Sequence, residues 1–189
     1  CRELQINQDG INMLVATPAG EIRIGSQLLG EFNAYNLLAA LGVLLALDVP
    51  LSDAARALGN IEAAPGRLQT VSDIGQPLVV VDYAHTPDAL EKVLSTLQAI
   101  KPAGGHLYCV FGCGGDRDPG KRPLMGKAAA WLADVSVVTS DNPRSEDPNT
   151  IIQQIVAGMG KATHIEQDRA AAINWAISRA SDSDIVLIA

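Results

Sequence analysis

The sequence predicts an α/β protein in which a hairpin and two helices precede a mostly parallel sheet flanked by helices. From residue 78 onwards, short apolar runs alternate with amphipathic stretches of about 10 to 15 residues, a pattern typical of βαβ units. Before residue 63 the chain instead has period-2 alternation followed by two helical patterns. Hydrophobic residues make up 48% of the 189 residues, which is ample material for a core.

The amino-terminal segment is predicted to contain a hairpin of residues 13–17 and 21–24 around the turn at 18–20. A first helix is predicted from Gly30 to about Leu47. A second helix starts near Pro50, with Ser52 as its N-cap, and ends near Gly59. Residues 63–66 are predicted to form a linker because they combine alanine, proline and glycine.

The remaining chain alternates strands and helices in order. The predicted strands cover residues 78–81, 106–111, 135–139, 163–165 and 184–189. The predicted helices cover residues 87–100, 121–132, 148–159 and 168–179. Proline at the start of two of these helices suits the first helical position, where no amide donor is needed.

Composition narrows the classes of partner. The net charge of −7 disfavours a nucleic-acid binder, and the longest apolar run, residues 37–47, is shorter than the roughly 20 residues that cross a bilayer. The three cysteines have neither a disulfide-framework spacing nor a second Cys/His pair for zinc, so we expect no metal site in this chain and a cytoplasmic location. Because residue 1 is Cys and residues 184–189 form an apolar run without a following turn, we expect a fragment of a longer protein.

Polar clusters follow three of the predicted strands. They cover residues 82–88, 112–118 and 141–144. In open α/β sheets, ligands bind beyond the carboxyl ends of the strands, so three such clusters at one edge indicate a binding site.

The third cluster offers the most specific chemistry. Asp141, Asn142 and Arg144 present an anion, an amide and a guanidinium within four residues, a set that suits an amino acid. Arginine suits a carboxylate because its planar fork can donate two parallel hydrogen bonds. The alternative is an Asx-type turn with a solvated arginine.

The first two clusters are ambiguous on their own. Asp82 could accept hydrogen bonds from ribose hydroxyls or cap the next helix, and His85 could stack on a base, carry a proton or be solvated. The glycines of residues 112–115 fit neither the G-x-G-x-x-G fingerprint nor a phosphate loop, and more plausibly let the backbone approach a ligand or a neighbouring loop. Arg117 could bind an anion or pair with a neighbouring aspartate.

Two further features lie upstream. Asn33 and Asn36 are one turn apart on the first helix and could read an adenine edge, or Asn33 could simply cap the helix start. Arg67, next to the predicted linker, could reach phosphates.

Taken in order, these motifs resemble the Mur ligases, the ATP-dependent amino-acid-adding enzymes of peptidoglycan synthesis. The resemblance rests on residues 30–36, 65–67 and 82–88, and residues 111–118 with 121–123 are similar to those of the UDP-N-acetylmuramoyl-tripeptide synthetases. The sequence Asp-Asn-Pro-Arg at 141–144 resembles the motif of members that add meso-diaminopimelate rather than lysine.

The resemblance implies domains and residue roles. Residues 1–63 would be the carboxyl-terminal part of the central ATP-binding domain, and residues 64–189 a truncated, Rossmann-like carboxyl-terminal domain. Among the site residues, the resemblance implies ATP binding by Asn33, Asn36, Arg67, Asp82 and His85, and diaminopimelate binding by Arg117, Asp141, Asn142 and Arg144. No catalytic residue and no metal ligand is expected here, since the ligands for Mg²⁺ would lie upstream.

The reaction implied is the ATP-dependent addition of meso-diaminopimelate to UDP-N-acetylmuramoyl-L-alanyl-D-glutamate. The chain alone is expected to be inactive and monomeric, with neither nucleic acid nor membrane as a partner. Two alternatives stay open. One is a related amide ligase, either the lysine-adding type or a folylpolyglutamate synthase. The other is a non-enzymatic amino-acid-binding module, which would bind its ligand without ATP.

Overall fold

The structure, a computed structural model, describes residues 1–72, 75–160 and 164–189. The chain divides into two compact units, Cys1–Ala64 and Pro65–Ala189. Within the described residues, no helix combines the length and apolar character needed to span a membrane.

The first unit is an antiparallel sheet packed against two helices. Its strands are β1 (Glu3–Asn7), β2 (Gly10–Thr17) and β3 (Gly20–Ser26), in that order across the sheet. The predicted hairpin corresponds to β2 and β3, but the prediction missed β1. That strand is mostly exposed, so it carries little of the apolar alternation that marks a strand in sequence.

The two helices of this unit are α1 (Glu31–Ala46) and α2 (Leu51–Gly59). They bury Leu37, Leu41 and Leu58 in one cluster with apolar residues of β2 and β3. The prediction of Ser52 as N-cap is wrong, because Pro50 holds that position. The Pro50 carbonyl accepts the amides of Asp53 and Ala54, so the helix begins two residues earlier than a Ser52 cap implies and Ser52 lies inside it.

The second unit is built on a six-stranded sheet with the order β4-β5-β9-β6-β7-β8. Its strands are β4 (Gln69–Thr70), β5 (Leu78–Val81), β6 (Leu107–Phe111), β7 (Val135–Val138), β8 (His164–Ile165) and β9 (Ile185–Ile188). All are parallel to their neighbours except β4, which pairs antiparallel with β5. The predicted α/β class with a mostly parallel sheet is therefore confirmed. Residue 163, the predicted start of β8, lies outside the described residues.

The helices of the second unit are α3 (Pro87–Ile100), α4 (Lys121–Leu132), α5 (Pro148–Val156) and α6 (Arg169–Arg179). The side chain of Thr86 caps α3 by accepting the Ala89 amide, so Asp82 does not cap it. The helix predicted to reach residue 159 ends earlier, at Val156, before a turn that contains Gly158 and Gly160. Glycine disfavours helix continuation because it loses the most backbone freedom on ordering.

The strand order differs from the order along the chain. β9, the last strand in sequence, lies between β5 and β6 and pairs with both. Of the three strands followed by polar clusters, β6 and β7 are therefore neighbours, whereas β5 is separated from β6 by β9. All five residues of β6 are buried, which fits a strand covered by helices on both faces.

Candidate functional site

A cleft of about 180 Å³ opens at the carboxyl-terminal edge of the sheet in the second unit. Val81 at the end of β5 and Ile188 at the end of β9 form part of its wall. The polar and aromatic side chains that line it are Asp82, Tyr83, His85, Lys121, Asp141 and Arg169. Two cations and two carboxylates thus surround one small space, which suits a ligand that carries charges of both signs.

Asp82 is a buried carboxylate directly after β5. Its Oδ2 accepts the amide of Leu68 at 2.9 Å, and its own amide donates to the carbonyl of Ile188. The first bond ties down residues 66–68, a turn in which Gly66 and Leu68 both have positive φ. Among the described residues only Oδ2 is used in this way, so Oδ1 can accept a hydrogen bond from a ligand hydroxyl.

His85 and Lys121 are linked at the mouth of the cleft. The Lys121 ammonium donates to the carbonyl of His85 at 2.8 Å, which joins the start of α4 to the segment after β5. The His85 ring lies 5.0 Å from the ring of Tyr83, and its Nδ1 is 3.0 Å from the Tyr83 carbonyl. Tyr83 is 68% exposed, so this ring pair offers an open aromatic surface to a ligand.

The loops after β6 and β7 are joined along their length. The Gly115 amide donates to the Asn142 carbonyl at 2.8 Å, and the Arg144 guanidinium donates through Nη1 to the Gly115 carbonyl. Ser145 donates its amide and its hydroxyl to the carboxylate of Asp116. A Cβ on Gly115 would lie 1.9 Å from the Pro143 carbonyl oxygen, so only glycine permits this approach.

A buried arginine lies beneath these two loops. Arg122, in the first turn of α4, is 1% exposed and forms a two-pronged ion pair with Glu146, with both bonds at 2.8 Å. The bonds from Arg122, together with that from the Asp116 amide, lower the pKa of Glu146 to about 2. The carboxylate is therefore charged at neutral pH.

The two buried cysteines do not supply a reactive thiol. Cys113 lines the cleft, but burial raises its pKa to about 11, although Lys121 and Arg122 act in the opposite direction. Cys109 is fully buried in β6, and burial raises its pKa as well. Both are protonated at neutral pH, and a protonated thiol is a poor nucleophile and metal ligand.

Arg169 occupies the first position of α6. Its Nη2 donates to the Ala189 carbonyl at 3.0 Å, which fixes the end of β9. Its Nη1 is buried and has no hydrogen-bond partner among the described residues. A guanidinium that lines the cleft in this way can still donate to an acceptor there.

Asn33 and Asn36 belong to the first unit. The side-chain Nδ2 of Asn33 donates to the Leu29 carbonyl, and its Oδ1 accepts from the side-chain Nδ2 of Asn36 at 3.1 Å. The helix N-cap is Gly30, so Asn33 is not the cap that its position suggested. Asn33 orients Asn36, whose amide oxygen is not engaged by any described residue and can accept a hydrogen bond.

The structure brings together only part of the predicted site. The cleft includes Asp82 and His85 from the nucleotide set and Asp141 from the amino-acid set. Arg117, Asn142 and Arg144 lie on the joined loops but not in the cleft wall, and Arg67 is exposed beside Gly66. The Arg117 side chain makes no ion pair or hydrogen bond in the part of the chain that the structure describes, so the alternative of pairing with a neighbouring aspartate is not realised, and ligand binding by Arg117 stays a prediction.

Sequence reasoning missed the roles of three residues. Arg169 carries no local signal, because it is a lone cation at a helix start. Lys121 belongs to the motif at 121–123, but that motif did not indicate its bond to the His85 carbonyl. Arg122 did have a signal. Positions 122, 125, 126 and 129 recur at helical spacing, and the last three are small or apolar, so the periodicity places Arg122 on the buried face of α4.

The described residues do not fit a Mg²⁺ site. Within ranges 1–72, 75–160 and 164–189, no three or more His, Cys, Asp or Glu side chains are grouped as ligands of one ion would be. The location of metal ligands outside this chain stays a prediction.

The class of protein follows from the family comparison. Residues 66–189 match the family model for the Mur ligase, glutamate ligase domain. The chain therefore belongs to the Mur ligase family, and the resemblance inferred from its motifs is confirmed.

Individual relatives narrow this class. The chain is 57% identical over 182 residues to a UDP-N-acetylmuramoyl-L-alanyl-D-glutamate–2,6-diaminopimelate ligase of Chromobacterium violaceum, covering 96% of the chain and 37% of the relative. It is 54% identical over 183 residues to the ligase of the same name from Neisseria meningitidis serogroup A, covering 97% of the chain and again 37% of the relative. The chain thus spans little more than a third of the length of these relatives.

Solved structures agree with this comparison. A structure of a 2,6-diaminopimelate ligase of the same name superposes with a TM-score of 0.78 at 41% identity, covering 98% of this chain and 38% of the other. A UDP-N-acetylmuramate-alanine ligase from Thermotoga maritima superposes at 0.68 with 21% identity, covering 98% of this chain and 40% of the other. The second likeness shows the shared fold alone.

Proposed function

We propose that this chain is part of an ATP-dependent ligase that adds meso-2,6-diaminopimelate to UDP-N-acetylmuramoyl-L-alanyl-D-glutamate in peptidoglycan precursor synthesis. The names of the relatives support the substrate and the reaction class. The single observation that carries the proposal is the joining of the loop that bears Arg117 to the loop that bears Asp141, Asn142 and Arg144, beside a cleft of mixed charge.

Binding of the amino-acid substrate is assigned to the joined loops after β6 and β7. Diaminopimelate carries two ammonium groups and two carboxylates, and it differs from lysine by the second carboxylate. Asp141 would bind an ammonium group, while Arg117 and Arg144 would bind carboxylates, with Asn142 as a neutral partner. Because Nη1 of Arg144 is held by the Gly115 carbonyl, the guanidinium is oriented before the ligand arrives.

The nucleotide is assigned to the remaining residues. Asp82 has one carboxylate oxygen left to accept from ribose hydroxyls, and His85 with Tyr83 provides an aromatic surface close to it. Arg67 would approach the phosphates, and Asn36, oriented by Asn33, would contact the adenine edge. A cytoplasmic location follows from the reaction, because ATP and nucleotide-linked precursors are its substrates.

The chemistry proposed is carboxylate activation. ATP transfers its terminal phosphoryl group to the carboxylate of the glutamyl residue, which gives an acyl phosphate and ADP. An amine of diaminopimelate then attacks the acyl carbon, an amide bond forms and phosphate leaves with the electron pair of the broken C–O bond. The residues of this chain act by binding and orienting the amine donor and the nucleotide.

Amino-acid preference in the full-length protein tests the proposal. We expect the unmodified protein to use diaminopimelate and to discriminate strongly against lysine, because a site built for a charged group is left unpaired by an analogue that lacks it. Arg144→Ala should raise the KM for diaminopimelate about 10- to 100-fold, in line with the roughly 1.5–3 kcal/mol of a charged hydrogen bond.

The matched control is Arg56→Ala, which removes an exposed arginine from α2 in the first unit. It should leave the KM for diaminopimelate unchanged. Equal use of both amino acids by the unmodified protein would defeat the proposal, as would ligand binding without any dependence on ATP.

A further inference from the structure

Arg122 is a buried charge that the proposed ligand contacts do not use. It is among the largest fully buried side chains of the protein, and it lies on the inner face of α4 beside Met125 and Gly126. Burying a guanidinium is costly unless its donors are paired, and a buried ion pair is seldom more stabilising than apolar residues of the same volume. A role in fixing geometry accounts for its presence better than a role in stability alone.

The partners of Arg122 come from both site loops. Nη1 donates to Glu146 at 2.8 Å and to Gln154 at 2.6 Å, whereas Nη2 donates to Glu146 at 2.8 Å and to the Gly114 carbonyl at 3.2 Å. The guanidinium therefore reaches the loop after β6 through Gly114 and the loop after β7 through Glu146. No apolar side chain could make both connections.

Glu146 extends the connection. Its Oε1, which accepts from Arg122, also accepts the Asp116 amide at 2.5 Å. The pair therefore holds the backbone at Gly114 and Asp116, on both sides of Gly115. Asp116 immediately precedes Arg117, and Glu146 itself lies two residues after Arg144. The loop of residues 112–115 contains three glycines and cannot fix its own position with side-chain packing.

We propose that Arg122 and Glu146 are positioning residues that set the spacing between the Arg117 loop and the Arg144 loop, and thereby the selectivity for an amino acid with a second carboxylate. This inference rests on the proposed function. Neither residue lines the cleft, so each would act through the loops that it holds. Lysine at position 122 would keep the charge but lose the planar fork that bridges Glu146 and Gly114.

The test uses Arg122→Lys and Glu146→Gln in the full-length protein. Each variant should raise the KM for diaminopimelate about tenfold and reduce the preference for diaminopimelate over lysine by a similar factor, since an error of about 1 Å in a supporting contact can cost up to about 100-fold. The KM for ATP should stay within about twofold, because Asp82 and His85 are held by other contacts.

A control separates positioning from general destabilisation. Asp184→Asn removes a buried, multiply bonded carboxylate at the opposite edge of the same sheet, so it should lower stability without changing the ratio of the two KM values. If Arg122→Lys and Glu146→Gln do not fold, Gln154→Leu removes one acceptor of Arg122 and should raise the KM for diaminopimelate about two- to threefold.

The outcomes are distinct. Unchanged selectivity in the position 122 and 146 variants, or in Gln154→Leu where those do not fold, would overturn this inference alone. Equal increases in the KM for ATP and for diaminopimelate would also overturn it. Failure of the unmodified protein to use diaminopimelate would overturn the proposed function, and this inference with it.

Discussion

The two edges of the sheet in the second unit hold their charged side chains in opposite ways. At the amino-terminal edge, the carboxylate of Asp184 accepts the amides of His106 and Ser181, at 2.6 and 2.7 Å, and the Ser181 hydroxyl at 2.9 Å. At the carboxyl-terminal edge, Asp82 has one oxygen engaged and Arg169 has a buried donor without a partner among the described residues.

Asp134 extends the pattern at the amino-terminal edge. Its Oδ2 accepts the Leu107 amide at 2.7 Å and the Lys101 ammonium. Burial opposes ionisation of this carboxyl, but the bonds from Lys101 and Leu107 hold its pKa below the usual value. The difference teaches that the charges of Asp184 and Asp134 are satisfied within the fold, while Asp82 and Arg169 in the cleft wall keep an acceptor and a donor available to a ligand.

The largest effect is expected from a substitution at Gly115, because it would separate the two loops at the carboxyl-terminal edge of the sheet. Gly115→Ala would place a Cβ 1.9 Å from the Pro143 carbonyl oxygen, so the two loops must separate. We expect the KM for diaminopimelate to rise about 100-fold in the full-length protein, as displacement of a binding group by about 1 Å can do. The free energy of unfolding of the 189-residue chain should also fall by about 1–3 kcal/mol, the usual cost of overpacking.

Gly42→Ala is the matched control for stability. Apart from the adjoining backbone of α1, no described part of the chain lies within 4 Å of a Cβ built at that position, and alanine favours a helix over glycine. The 189-residue chain with this substitution should be as stable as the unmodified chain or slightly more so. A Gly115→Ala variant that kept both its stability and its KM would show that the loops are not held as described.

Asp184→Asn should give the next largest effect, confined to stability. It removes the charge from a carboxylate with three donors, and one bond to a charged group contributes roughly 1.5–3 kcal/mol. We expect urea denaturation of the 189-residue chain to show a loss of about 2 kcal/mol. The exposed Asp88, which pairs with Lys92, is the matched control, and Asp88→Asn should cost about 0.5 kcal/mol or less. Equal losses of unfolding free energy in the two variants would show that the buried carboxylate of Asp184 is no more stabilising than an exposed one.

The smallest effect is a dependence of stability on pH. Glu146 has its pKa lowered from 4.5 to about 2 by its bonds to Arg122 and Asp116. A lowered pKa in the folded state stabilises the fold above pH 4.5, and this contribution is lost as the pH falls from 4.5 towards 2. The thermal midpoint of the 189-residue chain should therefore drop less steeply across this window in Glu146→Gln than in the unmodified chain. Parallel curves for the two chains would contradict this assignment.

The sequence was sufficient to predict elements whose signals are local. α3 and α4 have the predicted bounds, because a capping Thr86 and a following proline define the start of α3, and apolar periodicity defines the length of both helices. The position of β9 could not be predicted in this way. A strand inserted between β5 and β6 is specified by pairing over long separations in sequence, not by the composition of residues 185–188.

The candidate site also combines features with local sequence signals and features that depend on contacts distant in sequence. The clusters after β5, β6 and β7 were predicted from polar residues at strand ends, and their binding roles stay predictions. The connections between loops were not predictable, because Gly115, Ser145 and Glu146 act through backbone groups and partners some 30 residues away. A search for unusual residues on buried helix faces would have found Arg122.

The central place of β9 has a consequence for the order in which this protein acquires its structure during synthesis. Residues 185–188 leave the ribosome after the other five strands of the described sheet. Among the described residues, β5 and β6 do not pair with each other and are joined through β9. Until that segment emerges, the apolar strands β5 and β6 each have an unpaired edge that can pair with other chains. Pairing across the centre of this sheet is therefore expected to be completed only after residues 185–188 have emerged, and dependence on chaperones should be greatest in the interval before that.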